Sequence, residues 1–162
     1  MQAAAENEIG ADLPVDINPL MQLVHDNNWV EAADMIQYMV DNGNFKQLEQ
    51  MILTRSPNQG ACSRRINPRY LSANSTLMHM MAHHKPNPEY AGDYELGAYE
   101  YCWEQVGFRM KGVVEIDVRQ GFGITGKTPL MAAAVQNNVL ALISLLVAGA
   151  SDFRRVLGLL SD

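Results

Sequence analysis

Cysteine is scarce in this chain, with two in 162 residues, Cys62 and Cys102. Two cysteines cannot build the disulfide framework of a small secreted domain, and neither stands at a metal-site spacing. They are expected to be reduced thiols in a reducing compartment, the cytoplasm by default. No apolar run exceeds about ten residues, which is half of what a membrane-spanning helix needs. Positive charge is also short: 12 Lys and Arg against 18 Asp and Glu leave a net −6. That balance argues against nucleic acid as a partner. The first eight residues, from Met1 to Glu8, are acidic and lack the apolar core of a secretory signal. Neither cysteine has an activating pattern around it, and no Ser-His-Asp arrangement can be assembled. A chain of this length with 48% hydrophobic residues is expected to fold as one domain over 17–162, behind a flexible leader over 1–16.

The most informative stretch runs from Gly121 to Ala134 and fits two templates. Gly121, Gly126, Lys127 and Thr128 complete the G-x-x-x-x-G-K-[ST] pattern of a phosphate-binding loop. A β-like run, Val113 to Val118, precedes it and a helix-like run follows. In that context Lys127 would reach the β- and γ-phosphates and the Thr128 hydroxyl would bind Mg²⁺. Against this, only 34 residues follow Thr128, too few for the further βα units, of about 30 residues each, that a nucleotide-binding sheet requires. No apolar strand ending in Asp or Glu follows to hold the Mg²⁺.

The second template accounts for more of the same residues. Thr128 suits an N-cap and Pro129 the first helical position, where its missing N–H costs nothing. Leu130, Ala133 and Ala134 form a stripe of small apolar residues. Gln136-Asn-Asn138 reads as a polar turn, Val139 to Ala148 as a helix apolar nearly all round, and Gly149 as its stop. Thr-Pro-Leu, two helices and Gly-Ala in this order resemble an ankyrin repeat, with Met131 where that family usually has His and Asn137 where it usually has Gly.

Echoes of this opening occur elsewhere. Asn18-Pro-Leu-Met21 matches Thr128-Pro-Leu-Met131, and both are followed after the same interval by Asn-Asn. In Ser75-Thr-Leu-Met-His-Met-Met-Ala82, Thr76 and His79 fall on the Thr and His of the ankyrin pattern. The intervals are irregular, with Asn18 and Thr76 58 apart and Thr76 and Thr128 52 apart, against about 33 for an ankyrin repeat. Insertions near 56–75 and 85–93 account for part of the excess. Helices are expected near 18–27, 29–41, 44–55, 76–84, 94–106, 128–137, 139–148 and 152–160. Over 18–55 two registers compete. In one the first two helices form a repeat; in the preferred one 18–27 is a degenerate cap and the next two pair. The 152–160 helix is read as a C-terminal cap, and Val113 to Val118 as an extended finger arm. The expectation is therefore an all-α, ankyrin-like helical solenoid of about three irregular repeats with helical caps.

Several single residues have both a structural and a functional reading. His79 and His83 share a helix face as zinc ligands can, but Met80 stands where a zinc hydrolase helix carries Glu, and no third ligand is near. At the ankyrin helix-start position, His79 is implied to tie neighbouring turns together. Tyr99 and Trp103 are spaced for a core, whereas Tyr90 and Tyr94, beside Pro86 and Pro88, suit exposed contacts. Arg64, Arg65 and Arg69 lie in a stretch without acidic residues, and Glu89 to Glu104 carries no Lys or Arg.

The resemblance implies a non-catalytic protein–protein interaction scaffold whose partner lies on finger tips and first helices. The candidate contacts are Arg64, Arg65, Arg69, Tyr90, Tyr94, Arg119, Gln120, Phe122, Gln136 and Asn137. The expected partner is another protein, with no cofactor, metal, nucleic acid or membrane, and the chain is expected to be a monomer. Export as a bacterial effector acting on a host protein stays open. The alternative from another class is a nucleotide-binding protein using Gly126, Lys127 and Thr128.

Overall fold

Three polar turns of one design organise the chain. The computed structural model describes residues 18–56, 75–87, 89, 91–120 and 126–151, and among these the regular structure is all helical. Seven α-helices follow in order: α1 (Pro19–His25), α2 (Trp29–Asp41), α3 (Phe45–Leu53), α4 (Leu77–His83), α5 (Asp93–Met110), α6 (Pro129–Val135) and α7 (Val139–Ala148). In the turn after α1, the N–H groups of Asp26, Asn27 and Asn28 donate to the carbonyls of Gln22, Val24 and Leu23. After α2 the same three bonds run from Asn42, Gly43 and Asn44 to Tyr38, Val40 and Met39. After α6 they run from Gln136, Asn137 and Asn138 to Ala132, Ala134 and Ala133. The middle residue of each turn is left-handed: Asn27 at φ 58°, Gly43 at φ 71° and Asn137 at φ 53°. Only Gly and, at lower cost than other residues, Asn take that conformation readily.

The short helices share an opening. Asn18 and Thr128 have extended backbones, and their side-chain oxygens accept from the N–H of Met21 at 2.7 Å and Met131 at 3.2 Å. Proline follows each, as expected. Thr76 and His79 close a capping box at the start of α4. The helices α1, α4 and α6, seven residues each, pack side by side in one row, and α2, α5 and α7 form a second row. In chain order the rows contribute α1 and α2, α4 and α5, and α6 and α7; α1 packs on α2 and α6 on α7, while α4 meets α5 through the Tyr99 hydroxyl on the Met81 carbonyl. This corrects the preferred register, in which 18–27 stood apart as a cap and 29–41 paired with 44–55. The α2–α3 turn has the same design, but α3 lies against α2, α4 and α5 as an addition between the first and second pairs. The amide of Asn18 shows how it is fastened: the oxygen caps α1 while Nδ2 donates to the Met51 carbonyl of α3 at 3.0 Å.

Between the rows lies a core led by Trp29, Trp103, Leu20, Ile36, Leu48, Ile52 and Leu77, with Met21, Met78, Met80, Met81 and Met110 also fully buried. Each such side chain stabilises by roughly 1.5–3 kcal/mol. Tyr99 and Trp103 are buried, as their spacing implied. Tyr99 meets Trp29 edge to face at 4.5 Å and donates its hydroxyl to the Met81 carbonyl at 3.2 Å. No described helix is long and apolar enough to cross a membrane.

The run Val113 to Val118 is not an extended arm: Val114–Asp117 is a 3-10 turn. Its β-branched residues have no neighbouring strand to pair with among the described residues. Instead Ile116 is buried, Val114 stands 85% exposed, and the turn closes through Ile116 N–H to the Val113 carbonyl. The 1–16 leader and the 152–160 helix lie outside the described residues.

Candidate interaction surface

At two places, residues that flank a segment outside the described residues lie side by side. The first is Ser56 and Ser75, on either side of 57–74. Ser56 N–H donates to the Ser75 carbonyl at 2.7 Å, and Ser75 N–H to the Ser56 hydroxyl at 2.9 Å. The second is on either side of 121–125, where Gln120 N–H donates to the Lys127 carbonyl at 2.9 Å and Arg119 Nη1 to the Gly126 carbonyl at 2.8 Å. At Gly126 the two flanks come so close that a Cβ would overlap the Gln120 carbonyl oxygen. That close approach explains the glycine without any phosphate.

Cross-links join the two places. Gln120 Nε2 donates to the Ser75 hydroxyl at 3.0 Å, and Arg55 Nη1 to the Arg119 carbonyl at 2.9 Å. His79 then locks both to the helix row. Its Nδ1 accepts from the Thr76 N–H at 3.0 Å, so the proton sits on Nε2, which donates to the Lys127 carbonyl at 2.8 Å. The Lys127 carbonyl thus serves Gln120 and His79 together, using both of its lone pairs. Burial drives the His79 pKa down to about 4; the Lys127 hydrogen bond opposes this and the nearby Arg55 charge adds to it. The imidazole is neutral and both nitrogens are engaged, in the tying role expected of it.

Among the predicted contacts, Arg119 and Gln120 stand at the joined flanks, with side chains committed to Gly126 and Ser75. Gln136 and Asn137 are at the other end of α6, about 10 Å away by helix rise. There Lys85 Nζ reaches their carbonyls at 3.4 and 3.2 Å, beside the negative end of the helix dipole. Tyr94, 76% exposed, is in the first turn of α5. Arg64, Arg65, Arg69, Tyr90 and Phe122 lie outside the described residues. Sequence reasoning did not find the Ser56–Ser75 closure or the Arg55–Arg119 link, because the first joins residues 19 apart and the second residues 64 apart, across turns whose path no local pattern encodes.

The phosphate-loop template finds a different setting from the one it needs. The segment before it is a 3-10 turn, and Thr128 is 2% exposed with its hydroxyl capping α6. Cys102 is buried, and burial pushes its thiol up to about 12. Among the described residues no three His, Cys, Asp or Glu side chains gather as metal ligands. Comparison with protein-family models, curated proteins and solved structures finds no match to this chain.

Proposed function

We propose that the chain is a non-catalytic protein–protein interaction module, an ankyrin-like solenoid of three irregular helix pairs. The partner sits at the segments 57–74 and 121–125 and the residues that flank them. One observation carries the reading: the residues flanking 57–74 and 121–125 are hydrogen-bonded to each other and to the helix row through Ser75, Gln120, Arg55, Arg119 and His79. A scaffold that fixes the flanks of two neighbouring segments suits a recognition surface, because fixing their ends in advance lowers the entropy lost on binding. Three capped short helices in one row and three long helices in another support the repeat reading.

The composition of the two flanked segments, with Arg64, Arg65 and Arg69 in one and Phe122 in the other, suits an acidic partner with an apolar anchor. Tyr94 at the start of α5 and Gln136 and Asn137 at the end of α6 are further contacts, and Tyr90 joins them by sequence alone, as the residue four before Tyr94. The module works as a monomer in a reducing compartment, where Cys102 stays a thiol; export to a host cell is compatible with the same surface.

Affinity capture with mass spectrometry identifies the partner, and titration then tests the surface. Reversing Arg64, Arg65 and Arg69 to Glu is expected to weaken binding of that partner at least about tenfold with the fold intact. Unchanged affinity removes this surface. A rise in melting temperature with millimolar ATP or GTP and Mg²⁺, lost in Lys127→Ala, would instead establish the nucleotide alternative.

A further inference from the structure

The row of long helices carries a second feature, separate from that surface. Where α5 and α7 pass, they are close enough that a Cβ on Gly107 would lie 3.6 Å from the Ser144 carbonyl oxygen. Beside this crossing they part around a groove of about 430 Å³. Buried Trp103 lies at its floor, and Phe108, Ile143 and Val147 stand along its walls, 63%, 55% and 72% exposed. Glu100 and Glu104, one turn apart on α5, edge one end, and Lys111 the other. Among the described residues none of these three charges has a salt-bridge partner.

We propose that this groove docks a basic amphipathic helix from a partner protein. Large apolar side chains more than half exposed on both walls point to a macromolecule: a small ligand held between the helices would leave them in water, whereas the apolar stripe of a helix covers both. The carboxylates of Glu100 and Glu104 select Lys or Arg on the flank of that stripe, and Lys111 leaves the far end open to an acidic or C-terminal group. From Glu100 to Lys111 the groove extends about 16 Å, the length of about three helical turns. None of its residues belongs to the first surface, so the two sites stand or fall separately.

The probe is a fluorescein-labelled peptide of about 14 residues, with Leu at helix-stripe positions and Lys elsewhere, titrated against the full chain by anisotropy. Controls carry Glu in place of Lys, or the same residues in scrambled order. The Lys peptide is expected to bind at least about tenfold tighter than either control. Ile143→Glu and Val147→Glu, at exposed positions, should each remove that advantage while helicity and melting temperature hold. Tyr38→Glu, 67% exposed on α2 and not among the groove's residues, should leave it, and Glu100→Lys with Glu104→Lys should transfer the preference to the Glu peptide. Equal binding of the scrambled peptide, or indifference to Ile143→Glu, overturns the proposal. So does a chain that sediments as a dimer split by Ile143→Glu, which makes a second copy the occupant. A tenfold gain in peptide affinity on truncation after Ser151 also overturns it, because residues 152–162 would then be the occupant.

Discussion

His79 and Lys127 are joined across 48 residues by a single 2.8 Å hydrogen bond, from Nε2 of one to the carbonyl of the other. The donor is an imidazole that burial holds neutral, with its pKa lowered from 6.5 to about 4. In the unfolded chain the same group takes a proton near pH 6.5. Above that pH both states are neutral and the contribution to stability is complete. As pH falls from 6.5 to about 4 the unfolded state binds the proton first, and stability drops by up to about 3 kcal/mol. Urea denaturation at pH 7, 5.5 and 4.5 should show the loss, and His79→Gln should have a shallower slope over this window. Parallel slopes for the two proteins would sink the assignment.

Asn138 is the other polar node of the core. Its Nδ2 donates to the Tyr99 hydroxyl at 2.6 Å and the Ala82 carbonyl at 3.0 Å, while Oδ1 caps α7 at the Ala141 N–H. Asn138→Ala is expected to cost about 2–3 kcal/mol, combining a lost cap with buried groups left unpaired. Tyr99→Phe should cost about 1–2 kcal/mol. Because the two touch, the double variant should fall short of the sum by about 1 kcal/mol. Strict additivity in chemical denaturation would mean that the pair does not interact.

The left-handed asparagines should respond differently to glycine. Asn137→Gly keeps the backbone and is expected to change stability by less than about 0.5 kcal/mol, whereas Asn137→Ala should cost about 1 kcal/mol. Asn27 also serves a neighbour, because its Oδ1 accepts the Trp29 indole N–H at 2.6 Å. Asn27→Gly removes that acceptor from a buried indole and should cost about 1–2 kcal/mol. Equal effects of Asn27→Gly and Asn137→Gly on melting temperature would contradict this difference between the two turns.

Cys102 should resist chemistry. With the thiol pushed up to about 12 by burial, roughly one molecule in ten thousand carries a thiolate at pH 8. In a Cys62→Ser background, Ellman's reagent is expected to find no reactive thiol in the native protein and one in denaturant. Rapid native labelling would show that Cys102 is accessible.

Much of this architecture was legible because its signals are local. Asn18, Thr128 and the prolines after them mark helix starts within one turn, and Gly149 marks a stop, so α1, α6 and α7 fell close to their expected bounds. Val113 to Val118 misled because β-branched residues favour a strand only when another strand offers a ladder, and here Ile116 is instead pinned in the core. The register over 18–55 was ambiguous for a physical reason: the turns at Asn27 and Gly43 make identical hydrogen bonds, so only packing against α4 and α5 separates the repeat pair from the added helix. At the candidate surface, the cap at Thr128 and the tying role of His79 were readable, while the Ser75–Gln120 and Arg55–Arg119 links depend on where distant turns meet.

The order of the rows has a consequence for cooperativity. The first and last helix pairs each pack on the central pair, α4 and α5, and little on each other. An end pair can therefore open without the other, while opening the middle removes the support of both. Native-state hydrogen exchange should rank the molecule accordingly, with amides of α4 and α5 exchanging only through global unfolding and those of α1 and α7 through smaller openings.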